Sequence, residues 1–186
     1  MDLKKKVDQL LQELKLGKFS KVISDGEKLL KKNQDKGYLS PIDIFSPEET
    51  KKIKVEIEYI EKKWPEALIG LGRNNAHYIS PLLDRVCHNS KILDAVESII
   101  GKNILVGGTT LFIKEPDNRG FVSWHQDAKY IGFEPHNWVT AWLAITDANE
   151  KNGCMRMCPG THKEKIKEHK DTFNKNNLLT RGQTVQ

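Results

Sequence analysis

An α+β domain is the fold class this sequence predicts, and three observations predict it. Apolar residues recur at helical spacing as far as Ile100, they alternate from Asn103 onward, and the alternating stretches are joined by turn-rich segments. Helices first and antiparallel strands afterwards is the order of an α+β chain. At 186 residues the sequence holds one domain with at most a small appendage.

The appendage is residues 1–36. Val7, Leu10, Leu11 and Leu14 make one helical stripe, and Val22, Ile23, Gly26, Leu29 and Leu30 make a second. Gly17 and Lys18 interrupt them, so the segment predicts a helical hairpin, and its turn looks like that of a single tetratricopeptide-type repeat. A lone repeat cannot bury its own apolar face. The hairpin is therefore expected to dock on the rest of the chain, or to serve as a surface for protein contact.

Residues 37–186 form the main domain. Ser46-Pro47-Glu48-Glu49 is a helix start, with a serine cap, a proline in the first position and a glutamate placed for a capping box. Ile53, Ile57, Ile60 and Trp64 give that helix one apolar stripe, which Pro65 stops. Ser80-Pro81 and Ser90 open two further helices, the second ending at Gly101. Ile104 to Ile113 is the first predicted strand, Phe121 to Ala128 the second and Trp138 to Thr146 the third, with a short one over Cys154 to Met157. In the third, Trp138, Thr140, Trp142, Ala144 and Thr146 share one face, opposite Val139, Ala141, Leu143 and Ile145.

Composition excludes some functions. A hydrophobic fraction of 38% with 30% charged residues is that of a globular chain, and no apolar run approaches the ~20 residues of a membrane helix. The net charge of +5 is concentrated in residues 1–36, where ten lysines face six acidic residues. Lysine without interleaved arginine or aromatics is a solvated helix face and a poor base-reading surface, so nucleic acid is not expected as a partner. Cys87, Cys154 and Cys158 have neither disulfide nor zinc spacing, which points to a reducing cytoplasm, and the last two are expected in the core.

The chemistry is concentrated in Trp124-His125-Gln126-Asp127. On a strand, His125 and Asp127 point to the same side. One imidazole and one carboxylate supply two corners of the facial triad that holds Fe(II) with positions left open. Alone the pair is a weak signal, since an ordinary polar strand rim also carries such residues. The downstream sequence is specific: Val139-Thr-Ala-Trp-Leu-Ala-Ile-Thr146, a turn ending at Gly153, Cys154-Met-Arg-Met157, then Cys158-Pro-Gly-Thr-His-Lys163.

In that order these segments resemble the phytanoyl-CoA dioxygenase family of Fe(II)/2-oxoglutarate oxygenases. Phe112-Ile-Lys-Glu-Pro116, Ser90 to Val96, His169 to Phe173 and Asn177 to Gln183 extend the likeness, which covers residue 37 to the end. The resemblance implies a double-stranded β-helix, or jelly-roll barrel, with iron at one mouth. It implies 2-oxoglutarate and O2 as cosubstrates and a small organic molecule as the substrate hydroxylated. His125 and Asp127 would be iron ligands, and an aspartate here argues against the halogenating relatives, which have a small residue in its place. Trp142 and Thr140 would lie beside the 2-oxoglutarate pocket. Lys114 shares a strand face with Thr110 and Phe112; it either pairs with a cosubstrate carboxylate or is a solvated strand end. His162 matches a family histidine that is not an iron ligand, while His136 and His169, the latter in a lysine-rich helix, are expected at the surface.

The family's second iron histidine and its 2-oxoglutarate-clamping arginine lie past the segment matching Asn177 to Gln183. The third ligand is accordingly expected beyond Gln186, and Arg181 is not taken for the clamp. On this reading the barrel is short of strands, and the 186-residue chain is expected to be inactive by itself. The alternative is a non-catalytic binding module in which His125 and Asp127 are relics. A further alternative is a cupin-like site using another metal without 2-oxoglutarate.

Overall fold

The computed structural model describes residues 34–68, 73–114, 116, 119–135, 137–179 and 181–186. The helical hairpin expected over residues 1–36 thus falls almost wholly outside the described residues, as does His136.

The helical half follows its sequence signals. Helix α1 (Pro47–Lys63) starts at Ser46, whose side chain accepts from the Glu49 amide while the Glu49 carboxylate accepts from the Ser46 amide at 2.8 Å. Its Ile53, Ile57 and Ile60 are buried. Trp64 departs from the expected stripe: it caps the helix and stays half-exposed, packing its ring edge-on to Tyr59 under the Lys63 ammonium. Helix α2 (Pro81–Cys87) is capped by Ser80, whose buried hydroxyl donates to Glu56 of α1 at 2.7 Å. Helix α3 (Ser90–Ile100) is capped by the Asn89 side chain and ends at Gly101, whose φ of 83° is a conformation that a side chain resists.

The core gathers beneath α1. Ile53, Ile57, Ile60, Leu68, Ala76 and Leu83 are buried together, with Leu111, Ile113 and Ile145 packed against them from the second half of the chain. The predicted alternation is realised over residues 110–114 but not at the start of the stretch, where Leu105, on the inward face, is 89% exposed. Leu111 and Ile113 turn toward the core, while Thr110, Phe112 and Lys114 turn to the exposed side.

Strand pairing is sparser than the alternation suggested. Among the described residues the only ladder is an antiparallel ribbon of β1 (His169–Lys170) and β2 (Thr184–Val185), supplemented by single bridges between Asn74 and Thr110 and between Phe121 and Asn177. Alternation dictates which side chains face inward but supplies no partner; a strand needs a neighbour about 4.8 Å away to complete a ladder. The architecture is α+β, with few helices and a small open sheet.

Three local expectations need correction. The stretch from Phe121 does not run as a strand to Ala128: Asp127 is already α-helical (φ −56°, ψ −36°) and leads into the one-turn helix α4 (Ala128–Ile131). The carbonyls of Gln126 and Asp127, which would have served a ladder there, accept from the Lys129 and Tyr130 amides and close turns instead. His169 lies in β1 rather than in a helix, because it and Lys170 pair with Val185 and Thr184. Cys158 is exposed rather than in the core, and Cys154 is half-buried. No helix among the described residues is long and apolar enough to cross a membrane.

Candidate metal centre

His125 and Asp127 meet. The His125 Nε2 atom lies 3.1 Å from Asp127 Oδ1. Convergence arises from the turn rather than from strand pleating, since Asp127 curls back over its neighbour as the chain enters α4.

Each partner is oriented from behind. The Nδ1 atom of His125 lies 2.8 Å from the Ser123 carbonyl. A carbonyl only accepts, so Nδ1 carries the proton and Nε2 is the atom turned toward Asp127. On the other side, Thr140 Oγ1 donates to Asp127 Oδ2 at 2.8 Å, and Trp138 Nε1 donates to Thr140 Oγ1 at 3.2 Å. The hydrogen bond to Asp127 raises the pKa of His125 above its ordinary value, against a burial that lowers it. The Asp127 carboxyl is held below its ordinary value by the bond to His125, against burial and with help from Thr140. When His125 is protonated, the two form an ion pair.

The C-terminal segment braces this arrangement. The Val185 amide donates to the Trp124 carbonyl at 3.0 Å, and Leu178 donates to Phe121 at 2.8 Å. Ser123 Oγ donates to the Gln183 carbonyl and accepts from the buried Asn177 amide at 2.8 Å. Gln126 donates its amide to His169 Nε2 at 3.0 Å, and His169 Nδ1 donates to the Lys167 carbonyl at 2.9 Å. Both nitrogens of His169 are thus engaged. The Tyr130 ring stands edge-on to His125 at 5.8 Å and to His169 at 6.1 Å, filling the space between them.

Of the other expected site residues, Thr140 alone touches the pair, through Asp127. Trp142, on the same exposed face, is 43% accessible. The Lys114 ammonium is engaged by the Gly153 carbonyl, at the end of the turn that follows the third predicted strand. His162 sits in an exposed 3-10 turn, with Nε2 3.1 Å from the Gln34 carbonyl, far from His125 in its contacts. Arg181 pairs with Asp171 at 3.5 Å. Ser123, Tyr130, Trp138, Asn177 and Gln183 were not singled out by the sequence. The repeated faces Ser123/His125 and Trp138/Thr140 carried a signal for two of them, but the burial of Asn177 and Gln183 arises only from tertiary packing.

The pair fits a metal of the kind the sequence suggests. Two donors about 2.1 Å from one ion, at right angles, lie about 3.0 Å apart, close to the observed His125–Asp127 separation. A neutral imidazole with its far nitrogen tied to a carbonyl, and a carboxylate with its far oxygen tied to a hydroxyl, are the supports that metal ligands ordinarily have. Among the described residues, no group of three His, Cys, Asp or Glu side chains gathers around them.

The sequence is similar to proteins named as dioxygenases. The family model described as "Phytanoyl-CoA dioxygenase (PhyH)" matches residues 33–184. The chain is 29% identical over 154 residues to a probable alpha-ketoglutarate-dependent hypophosphite dioxygenase of Stutzerimonas stutzeri, covering 74% of this chain and 54% of that protein. It is 38% identical over 91 residues to the peroxisomal phytanoyl-CoA dioxygenase of Homo sapiens, covering 47% and 27% respectively. A phytanoyl-CoA dioxygenase domain-containing protein 1 homolog of Caenorhabditis elegans is 30% identical over 100 residues, or 53% and 34%. The chain therefore spans about half the length of the first of these relatives and less of the others. No solved structure matches.

Proposed function

The chain belongs to the phytanoyl-CoA dioxygenase family, and from that membership we propose that the protein is a non-haem Fe(II)- and 2-oxoglutarate-dependent dioxygenase that hydroxylates a small organic substrate. The observation that carries the proposal is the 3.1 Å approach of His125 Nε2 to Asp127 Oδ1, each backed by its own hydrogen bond. When bound, iron with 2-oxoglutarate supplies the activation of O2, releasing succinate and CO2.

The residues of the chain hold and orient. His125 presents Nε2 because Ser123 keeps the proton on Nδ1. Asp127 presents Oδ1 because Thr140 occupies Oδ2, so the contribution of Thr140 passes through Asp127. Tyr130 walls the site against His169. We assign Trp142 to the wall of the 2-oxoglutarate pocket, on the exposed face that a closed jelly-roll barrel would enclose. Lys114 remains the cationic partner for a carboxylate, reached by exchanging the Gly153 carbonyl for the ligand. The third iron ligand and the arginine clamp are assigned to none of the described residues, and the protein to the cytoplasm.

The relatives are named for phytanoyl-CoA and, as a probable activity, for hypophosphite, and no residue of this chain selects between such chemistries. Their names favour an oxygenase over a non-catalytic module. The test is oxygen consumption by the intact protein with candidate substrates, coupled to succinate release. Turnover should require 2-oxoglutarate and vanish in His125→Ala; turnover indifferent to either removes the proposal.

A further inference from the structure

We propose that Thr140, set by Trp138, is a positioning residue that fixes the Asp127 carboxylate so that one oxygen alone, Oδ1, faces His125. The inference deepens the metal reading above and rests on it only for the consequence for metal affinity; the hydrogen-bond relay is a property of the metal-free chain.

Donor and acceptor capacity sets the direction of the relay. An indole N–H donates and never accepts. The bond from Trp138 Nε1 to Thr140 Oγ1, 3.2 Å, therefore takes a lone pair of the hydroxyl. A hydroxyl has one hydrogen, and with the indole on its acceptor side that hydrogen goes to Asp127 Oδ2 at 2.8 Å. The relay has one polarity, Trp138 to Thr140 to Asp127, and each bond in it favours the next. Valine has nearly the shape of threonine but breaks the chain at both joints.

Packing aims the first donor. A β-carbon at position 107 would come within 2.7 Å of the Trp138 ring, so the indole lies against bare backbone where only glycine leaves room. Phe133 packs on the same ring, with centroids 5.8 Å apart. Gly107 and Phe133 flank the ring in the orientation that turns its N–H to Thr140. The consequence falls on the carboxylate. With both oxygens free it would rotate, or offer both to one ion; with Oδ2 tied, it offers Oδ1 alone, 3.1 Å from His125 Nε2.

Two measurements on the 186-residue chain test this. In metal-free 15N–1H spectra, the Trp138 indole signal is identified by its loss in Trp138→Phe. It should move in Thr140→Val and also in Asp127→Ala, which Trp138 does not touch, and it should hold its place in Thr140→Ser. In Mn(II) titrations followed by electron paramagnetic resonance, Thr140→Val should weaken binding by about tenfold, and Thr140→Ser should restore it. Gly107→Ala, which displaces the ring without altering the relay chemistry, should shift the indole signal and weaken Mn(II) binding in the same sense, so the claim stays open to refutation if Thr140→Val folds poorly. An indole signal indifferent to Asp127→Ala, or Mn(II) affinity unchanged by Thr140→Val, overturns the proposal. Mn(II) binding that ignores His125→Ala would instead remove the metal reading, and the indole signal would then decide the positioning role.

Discussion

The Ser123 carbonyl accepts the Nδ1 proton of His125 at 2.8 Å, and this one bond decides which nitrogen of the ring does chemistry. Ser123 is itself held through its hydroxyl by Asn177 and Gln183, so a segment more than fifty residues downstream positions the residue whose carbonyl orients His125. In the metal-free chain the nitrogen so exposed lies 3.1 Å from Asp127 Oδ1 and is where a second proton would sit, in the position proposed for the metal. Proton and metal therefore compete for the same pair of atoms.

The competition has a stability signature. The folded pKa of His125 lies above 6.5, so its contribution is complete below 6.5 and is lost as pH rises through the raised value. The folded pKa of Asp127 lies below 3.8, so its contribution is complete above 3.8 and is lost as pH falls through the lowered value. The stability difference between wild type and Asp127→Asn should be largest between these limits and shrink as pH rises above neutrality. Thermal melts of metal-free protein across the pH range check this, and a difference growing steadily into alkaline pH would contradict it.

Asn177 offers a test of the bracing segment. Its side chain donates to Ser123 Oγ and accepts from the Leu179 amide at 3.1 Å, while the residue is 8% exposed. Asn177→Ala should cost about 1–3 kcal/mol by leaving buried partners unsatisfied. It should also weaken Mn(II) binding by about tenfold, through the loosened Ser123–His125 bond. Chemical denaturation and metal titration on one sample separate the two effects; loss of stability with unchanged affinity would show that Ser123 does not depend on Asn177.

The helical half was legible because its signals are local. The Ser46 box, the Ser80 cap and the Ile53/Ile57/Ile60 stripe each lie within one or two turns, and each is realised. The strand half was legible only in its faces. Leu111 and Ile113 turn inward as alternation requires, but which strand lies beside which is a long-range property that no local pattern carries. His125 and Asp127 were legible as a pair of residue types at the right spacing, although a turn brings them together. The braces were not, since Asn177 and Gln183 become buried only when their segment folds back on Ser123.

The helical core should tolerate change independently of the metal pair. Leu68 is 1% exposed and belongs to the cluster beneath α1. Leu68→Ala should destabilise by about 2–5 kcal/mol through lost burial and a residual cavity, whereas Ser46→Ala should cost only about 1 kcal/mol through the lost cap. Neither residue contacts the His125–Asp127 pair, so Mn(II) affinity of the folded fraction should match wild type. Altered affinity in Ser46→Ala would mean that α1 and the site are coupled.

Cosubstrate linkage gives the final prediction. Tight binding of 2-oxoglutarate at about 100 times its dissociation constant would add about 2.7 kcal/mol of stability. Two protein ligands hold a metal weakly, and among the described residues no third His, Cys, Asp or Glu joins His125 and Asp127. His169 Nε2 already accepts from the Gln126 amide, a bond it would have to give up to reach a metal. The Arg181 side chain pairs with Asp171 at 3.5 Å. Anaerobic melts of the 186-residue chain with Mn(II) should therefore show little further rise when 2-oxoglutarate is added, far short of the shift that tight binding would produce. A large rise that disappears in Asp127→Ala would show that the chain completes its own metal site, and the reading of His125 and Asp127 as a two-ligand site would then be wrong.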